Sequence, residues 1–546
     1  MAKFIKYALF AGAFIIIGLL VGFKIKDSIP VGSMVNIDRG LQKLQKTLLF
    51  IERNYVEEPK HDRLVDDAIQ GILAGLDPHS IYIPAEEMQL KTEEMEGGFD
   101  GIGIQFSILE DTIYVETPLT GGPSEKLGIQ AGDRIIAVDG QKVAGVEITN
   151  TEVMRLLKGP KGSTVSVSIL RRSVGELIEF EIERDRIPIH SVEYAYMVED
   201  GVGYISVTRF AENTYSEFKQ ALDHLLAQGM KNLVLDLRGN PGGYMTIAYK
   251  MADEFLAANK MIVSTEGRIK ESRQAYYSTS SLSAFEQGSL VVLIDYGSAS
   301  ASEIVAGAVQ DHDRGLIVGV RSFGKGLVQI QEEFEDGSAI RIVISKYYTP
   351  SGRCIQKPYD KSDEAYAHEI AERFESGELF DASKVQFPDS LKYTTTAGRT
   401  VYGGGGIFPD VFVPNDTSQQ SKYLTDLRLK DLFRRFSFSY VDNRPDLRDR
   451  YPNAVAFVNM FQVTPTLVQQ FATYAENEGV PYDSNGFRTS EMFIRNRIKA
   501  YLGRRLFNED GYYPVAHQVD RTLQRAVELM PVAHDLQRTG RVSLSE

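Results

Sequence analysis

Residues 290–329 read LVVLIDYGSASASEIVAGAVQDHDRGLIVGVRSFGKGLVQ. The apolar run 290–294 ends at a turn containing Gly297, which is typical of a buried strand. Apolar residues then recur at helical spacing between 304 and 309, so Ser300 falls where a strand leads into a helix. Backbone N–H groups are unpaired at a helix start, and the helix dipole favours negative charge there. The position therefore suits a nucleophile whose reaction develops an oxyanion.

A lysine between two glycines, Lys325, follows 25 positions after this serine. A serine hydroxyl attacks a carbonyl carbon only when a base removes its proton, and a desolvated lysine can replace the usual histidine. Gln329 lies four positions beyond the lysine, and its amide can orient an amine without adding charge. These three residues form the candidate catalytic group.

Two motifs at this spacing carry a resemblance to a known family: Ser-Ala-Ser-Ala-Ser-Glu and Phe-Gly-Lys-Gly-Leu-Val-Gln. They resemble the carboxyl-terminal processing proteases, also called tail-specific proteases, the S41 family of serine peptidases with a PDZ domain. The resemblance implies that Ser300 is the nucleophile, Lys325 its base and Gln329 the group that orients the lysine. It covers most of the chain. It also implies a multidomain α/β fold, in which a β-rich PDZ domain precedes an α/β, crotonase-like protease core.

Changes in hydrophobic pattern divide the chain into five predicted segments. Residues 36–96 carry apolar stripes at helical spacing, and residues 97–185 break into short strands and turns. Strands then alternate with helices, which predicts an α/β layered core. The segments are residues 1–35, a membrane anchor or signal with a linker; 36–96, an N-terminal helical segment; 97–185, the PDZ domain; 186–419, the protease core; and 420–546, a C-terminal helical domain.

The segment that opens the predicted PDZ domain reads Gly-Gly-Phe-Asp-Gly-Ile-Gly-Ile at 97–104. PDZ domains add a peptide strand to a sheet edge and hold its terminal carboxylate on backbone N–H groups. The resemblance therefore makes this loop the candidate cradle for a substrate carboxylate. Its members are Gly101, Ile102, Gly103 and Ile104. The loop is not a dinucleotide fingerprint, because Phe106 replaces the third glycine and a strand follows instead of a helix.

A second glycine-rich turn, Asp-Leu-Arg-Gly-Asn-Pro-Gly-Gly at 236–243, follows a predicted strand. Glycines allow backbone N–H groups to approach a ligand closely, although an ordinary strand-to-helix loop can have the same composition. The resemblance favours an oxyanion hole here. It assigns the two N–H donors to Ala301 and to one of two glycines, Gly243 in preference to Gly242.

Composition excludes several functional classes. The net charge of −14 argues against nucleic acid as a partner. The single cysteine, Cys354, rules out an intrachain disulfide and lies in no metal-ligand spacing. The four-glycine run at 403–406 lacks the residues of a phosphate loop, and no HExxH or paired-cysteine motif occurs. The sequence therefore implies no metal and no organic cofactor.

An uncharged apolar stretch, residues 7–23, lies near the N-terminus between flanking lysines. As a helix it spans roughly 25 Å, which is short but within the range of a membrane crossing. A cleaved signal peptide is the alternative, but an uncleaved anchor fits better because no convincing small-x-small site follows. The resemblance places the body of the chain at the periplasmic face of a bacterial inner membrane, with a soluble periplasmic enzyme as the alternative.

These observations predict a serine endopeptidase that cleaves protein substrates near their free C-termini after the PDZ domain captures the tail. The C-terminal helical domain shows no catalytic pattern, and the resemblance suggests self-association or docking of an adaptor for it. His79 follows an Asp-Pro turn, where we expect a structural role.

Three rival functions follow from the residues. A Ser-His-Asp hydrolase would use His312 and Asp313, which lie about three helical turns beyond Ser300, too far along one helix to reach its hydroxyl. The second rival is a catalytically silent PDZ scaffold, which the presence of nucleophile, base and orienting glutamine disfavours. The third is a crotonase-like acyl-CoA enzyme, which the serine–lysine spacing and the PDZ-like insert disfavour.

Overall fold

The computed structural model describes residues 31–119, 121–171, 174–279, 284–359, 363–385, 387–444 and 446–542. The chain separates into two compact units, Met1–Tyr82 and Ile83–Glu546. The apolar stretch 7–23 lies outside the described residues, so the predicted anchor stays a prediction. Within the described ranges, none of the helices combines the length and the apolar character that a membrane crossing requires.

The first unit contains α1 (Val31–Asn54) and α2 (His61–Leu73). A turn follows in which the N–H groups of His79 and Ser80 both donate to the Asp77 carboxylate at 2.8 Å. An aspartate that binds the backbone two and three residues later is typical of a turn. This geometry agrees with the structural role expected for His79.

The region expected to hold the PDZ domain is built on an antiparallel sheet. Its elements and those just before it are β1 (Ile81–Ile83), α3 (Ala85–Met95), β2 (Gly98–Gly101), β3 (Ile104–Leu109), β4 (Thr112–Pro118), α4 (Pro123–Lys126), β5 (Arg134–Val138), β6 (Gln141–Lys142), α5 (Asn150–Leu157), β7 (Thr164–Leu170), β8 (Leu177–Glu183) and β9 (Asp185–Pro188). The sheet order is β3-β4-β5-β7-β8, with β6 on β5, while β2 pairs with β9. Alternate residues such as Val165, Val167 and Ile169 point into the core, as period-two strands require.

The next elements form the α/β core. They are β10 (Val192–Glu199), β11 (Val202–Val207), α6 (Thr214–Ala227), β12 (Asn232–Asp236), α7 (Met245–Asp253), β13 (Met261–Gly267), a 3₁₀ turn (Lys270–Ser272), β14 (Gln274–Tyr277), β15 (Ser289–Ile294), α8 (Ala301–Asp311), β16 (Leu316–Gly319), β17 (Leu327–Glu333) and β18 (Ala339–Tyr348). Strand β10 is antiparallel to β11, and β11, β12, β15 and β16 run parallel. A parallel sheet is covered on both faces, which explains why every residue of β15 is buried.

The chain then continues through α9 (Asp363–Glu375), 3₁₀ turns (Ala382–Lys384 and Asp389–Leu391), β19 (Lys392–Thr394), β20 (Thr400–Tyr402) and β21 (Val411–Phe412). Strand β21 completes the central sheet, in the order β10-β11-β12-β15-β16-β21. Strands β13, β14, β17 and β18 belong to a second, antiparallel sheet. The loops that follow β12, β15 and β16 gather at the carboxyl ends of the parallel strands, where α/β proteins bind their ligands.

The rest of the chain is helical, as predicted. The helices are α10 (Lys422–Leu429), α11 (Leu432–Asp442), α12 (Asp446–Arg450), α13 (Ala454–Met460), α14 (Pro465–Asn477), α15 (Ser484–Ala516), a 3₁₀ turn (His517–Val519), α16 (Arg521–Glu528) and α17 (Met530–Thr539). Most of them pack around an aromatic core that includes Phe433, Phe457 and Phe471. The last two helices leave this cluster and pack on the central sheet, which the sequence did not predict.

Candidate active site

Ser300 lies between β15 and α8 in a strained backbone conformation. Its φ is +54° and its ψ −110°, in a region that non-glycine residues rarely occupy. Such strain persists only where surrounding contacts hold it, and it concentrates at functional positions. The N–H of Ser300 donates to the Glu303 carboxylate at 2.8 Å, which is one of those contacts.

Glu303 is fully buried and connects the serine turn to the lysine loop. Its carboxylate also accepts the N–H groups of Gly324 at 2.8 Å and Lys325 at 2.9 Å, and the hydroxyl of Ser322 at 2.5 Å. Burial raises the pKa of Glu303, although these four donors oppose the shift. One side chain thus fixes the backbone on both sides of the site.

Tyr347, on β18, makes a second connection between the same two segments. Its hydroxyl lies 3.0 Å from the carbonyl oxygen of Ser300 and 2.8 Å from that of Lys325. Burial raises the pKa of Tyr347 well above its ordinary value, so the hydroxyl keeps its proton and donates. Residues 300 and 325 are therefore tied together by a carboxylate and a phenol.

Lys325 extends into a cavity of about 680 Å³ that Ser300 and Gln329 also line. Its amine makes no hydrogen bond or ion pair within the described ranges. Burial lowers the pKa of Lys325, and the nearby Arg341 lowers it further, while Glu303 acts in the opposite direction. A lysine in this setting gives up its proton more readily than a solvated one, as a general base requires.

The 236–243 loop packs directly against the serine. An added Cβ at Gly242 would lie 2.8 Å from the Cβ of Ser300, and one at Gly243 would lie 2.2 Å from the carbonyl oxygen of Phe210. The N–H of Gly242 donates to Asn240 Oδ1 at 2.9 Å, so it is already engaged. The N–H groups of Gly243 and Ala301 donate to no group in the described part of the chain. They remain the candidate oxyanion donors.

The loop 101–104 lines a groove of about 400 Å³, together with residues of β3 and α5. Gly103 has φ +74°, and the N–H groups of Ile102 and Gly103 have no acceptor among the residues described. Beside them, Lys158 pairs with Glu93 of α3, and its amine lies 4.7 Å from the centre of the Phe99 ring. The groove thus combines an apolar floor with free N–H groups and one cation.

Comparisons with known proteins identify the family. A carboxy-terminal-processing protease of Bartonella bacilliformis is 36% identical over 350 residues, which cover 63% of this chain and 79% of that protein. The chain belongs to the carboxy-terminal processing protease family. Two proteases of Bacillus subtilis are also similar: CtpA is 36% identical over 321 residues (59% of this chain, 67% of CtpA), and CtpB is 34% identical over 323 residues (59% and 66%).

Sequence models of four protein families match segments of this carboxy-terminal processing protease. Peptidase family S41 matches residues 201–364, and the PDZ domain matches residues 114–171. The N-terminal domain of the activating protease CtpB matches residues 26–87, and a family of unknown function matches residues 423–508. The predicted family, the multidomain α/β fold and the class of serine-type peptidase are confirmed. The five segment boundaries and the individual site residues stay predictions.

The geometry of this protease does not support a Ser-His-Asp hydrolase that uses His312 and Asp313. His312 Nε2 lies 2.6 Å from the carbonyl oxygen of Met261, and Asp313 pairs with Arg399 at 2.6 Å. Both lie just beyond the C-terminal end of α8, which spans roughly 16 Å from the Ser300 turn. Their side chains are engaged there and do not line the Ser300 cavity.

The sequence alone did not indicate three groups near the candidate site: Glu303, Tyr347 and Arg341. Glu303 had a usable signal, because a serine followed three positions later by glutamate is the pattern of a helix capping box. Tyr347 and Arg341 had none, because β18 reaches the site only through tertiary folding.

Proposed function

We propose that this protease cleaves peptide bonds with Ser300 as nucleophile and Lys325 as general base. The proposal rests on the double link between the two residues: Glu303 and Tyr347 each form hydrogen bonds to the backbone of both Ser300 and Lys325. The Lys325 side chain, whose pKa is lowered, projects into the cavity beside them. Two segments held this firmly can keep a nucleophile and a base in reacting geometry.

The reaction follows from these groups. Neutral Lys325 takes the proton of Ser300 Oγ as the oxygen attacks the substrate carbonyl carbon. The resulting oxyanion is stabilised by the N–H groups of Gly243 and Ala301. The protonated lysine then gives its proton to the departing amine, which leaves an acyl-enzyme. Water, deprotonated by the neutral lysine, hydrolyses the ester and regenerates both residues.

Tail capture is the second part of the proposal. A substrate C-terminus would add a strand beside β3, with its carboxylate on the N–H groups of the 101–104 loop. Lys158 lines the same groove and would supply a counter-charge once its pair with Glu93 opens. Substrates would then be proteins that end in an apolar residue with a free carboxylate.

A degradation assay tests the function as a whole. Its substrate is a protein with an unfolded, apolar, free C-terminus, offered to wild type and to Ser300→Ala. We expect cleavage near the tail by wild type and none by the variant. Cleavage by purified Ser300→Ala at the wild-type rate would remove Ser300 from the mechanism.

We also propose that residues 7–23 anchor the enzyme in the inner membrane with its body in the periplasm. The proposal rests on the length and flanking charges of that stretch. Fractionation of cells with N-terminal sequencing tests it, and a mature soluble chain that begins after residue 23 would contradict it. Self-association or adaptor docking through residues 420–546 remains a prediction.

A further inference from the structure

The last two helices form a layer of the catalytic core. Side chains of α16, α17 and the residue between them pack against one face of the central sheet. They are Leu523, Ala526, Leu529, Met530, Ala533 and Leu536, and they contact Val234, Val291, Leu293, Leu316 and Val318. The opposite face, with Leu233, Leu235, Leu290 and Val292, packs with α6, α7 and α8. Alternate residues of a strand point to opposite faces of its sheet. The central sheet is therefore covered by α6, α7 and α8 on one face and by the C-terminal helices on the other.

One ion pair joins this layer to the loop that carries the candidate oxyanion donor. Arg238 Nη2 lies 2.7 Å from Asp520 Oδ2, and Nη1 lies 3.1 Å from Oδ1. The same guanidinium contacts Asp236 through Nε at 3.0 Å and Nη2 at 2.6 Å. Burial lowers the pKa of Arg238, but the two carboxylates outweigh it and hold the pKa well above its ordinary value.

The two carboxylates play different roles. Asp236 is the last residue of β12 and accepts the hydroxyl of Tyr204 at 2.8 Å, so it ties Arg238 to the end of its own strand. Asp520 begins α16, where its carboxylate also accepts the N–H of Leu523 at 3.0 Å. It therefore provides a reference point on a separate, packed layer.

Asn240 of this loop forms hydrogen bonds to the turn that contains Ser300. The carbonyl oxygen of Asn240 accepts the N–H of Ala299 and the hydroxyl of Ser302, both at 2.9 Å. Its side chain donates to the carbonyl of Val207 at 2.8 Å. The loop that Arg238 holds is therefore in direct contact with the turn that contains Ser300, and the same loop ends at Gly243.

We propose that Asp520 is a positioning residue for peptide hydrolysis: through Arg238 it fixes the 237–243 loop, and with it the oxyanion donor and the nucleophile turn. The C-terminal helices are thus a functional part of the protease. The inference rests on the oxyanion role proposed above for Gly243.

Three variants of the full chain test it. Asp520→Asn is nearly isosteric and Asp520→Ser is too short to reach the guanidinium, yet both residues remain good helix N-caps. Glu528→Gln is the matched control, because Glu528 forms an exposed pair with Arg525 on the same helix. The measurements are kcat and KM for one peptide substrate, and the Kd of that peptide for each change placed in Ser300→Ala.

We expect kcat to fall about 10- to 100-fold in Asp520→Ser, and less in Asp520→Asn, while KM and Kd change by no more than about twofold. Asp520→Glu should restore part of the rate, and Glu528→Gln should match wild type. Hydrogen exchange of residues 237–243 should accelerate in Asp520→Ser below its unfolding temperature.

Unchanged kcat in folded Asp520→Asn and Asp520→Ser would overturn the proposal. So would a loss of rate that merely follows the fraction of folded protein, or that affects Kd as much as kcat. If Asp520→Ser did not fold, the result from the near-isosteric Asp520→Asn would decide. Activity retained by Ser300→Ala alone would instead contradict the proposed catalytic serine, which separates the two failures.

Discussion

The carboxylate of Glu303 holds Lys325 by its backbone N–H, at 2.9 Å, and not by its amine. That Glu303 binds the backbone of Lys325, and not its amine, affects the charge of the lysine. A carboxylate paired with the amine would stabilise the ammonium form and remove the base, whereas a bond to the backbone places the lysine without fixing its charge. The attraction that remains is outweighed by burial and by Arg341, so the pKa of Lys325 stays below its ordinary value.

The first prediction is a rate that rises with pH. Only neutral Lys325 can accept the serine proton, so kcat should increase as the pH rises through the pKa of this lysine. Because that pKa is lowered, the midpoint of the increase should lie below the ordinary lysine value of about 10.4. A pH–rate profile that falls as the lysine loses its proton would contradict the assignment.

The second prediction concerns Arg341, whose charge disfavours the ammonium form of Lys325. Arg341→Met removes this charge, so the pKa of Lys325 should rise and the ascending limb of the pH–rate profile should move to higher pH. The control is the same change at the exposed Arg268, which should leave the profile in place. Identical profiles for wild type and Arg341→Met would show that Arg341 does not influence the base.

Glu303→Gln provides the third prediction. An amide must turn its NH₂ group toward some of the backbone N–H donors that the carboxylate now accepts. We expect the free energy of unfolding to drop by about 1–3 kcal/mol, and peptidase activity to fall in the protein that remains folded. Thermal melts and kcat at a temperature below both transitions measure the two effects, and full activity would mean that the link is dispensable.

Tyr347→Phe tests the other link between the two residues. It removes a hydroxyl without opening a large cavity, so stability should fall by only about 0.5–1.5 kcal/mol. We expect a larger proportional loss in kcat, about tenfold, because Ser300 and Lys325 lose a shared contact. The neighbouring Tyr348→Phe is the control. Equal kcat for the two variants would argue against a role for Tyr347 in alignment.

The fifth prediction concerns tail capture. Glu93→Gln removes the competitor for Lys158 and should tighten binding of peptides with a free C-terminus, whereas Lys158→Met should weaken it. Amidated peptides should bind more weakly to wild type and should not distinguish the variants. Calorimetry in the Ser300→Ala background gives the affinities, and equal binding of amidated and free peptides would refute carboxylate recognition.

The sequence predicted the parts of the fold that local pattern determines. The apolar run 290–294 became β15 (Ser289–Ile294), because parallel strands buried on both faces are apolar throughout. The helix after Ser300 was equally clear from its spacing.

What could not be predicted depends on contacts between distant segments. Asp520 reaches Arg238 from 282 positions away, and Arg341 acts on the lysine loop from β18. The spacing of Leu523, Val527 and Leu529 indicates a helix but does not say which surface its apolar face covers. The contact of Tyr347 with Ser300 and Lys325 likewise arises only after β18 has folded against the lysine loop.

The most direct measurement of the central claim is kcat/KM of purified, folded Lys325→Arg on a substrate with a free C-terminus. Arginine keeps the positive charge and much of the bulk, but its guanidinium stays protonated and cannot accept the Ser300 proton. We predict a loss of at least about 10³-fold relative to wild type, with tail binding retained. A kcat/KM within about tenfold of wild type would contradict a lysine base and the mechanism built on it.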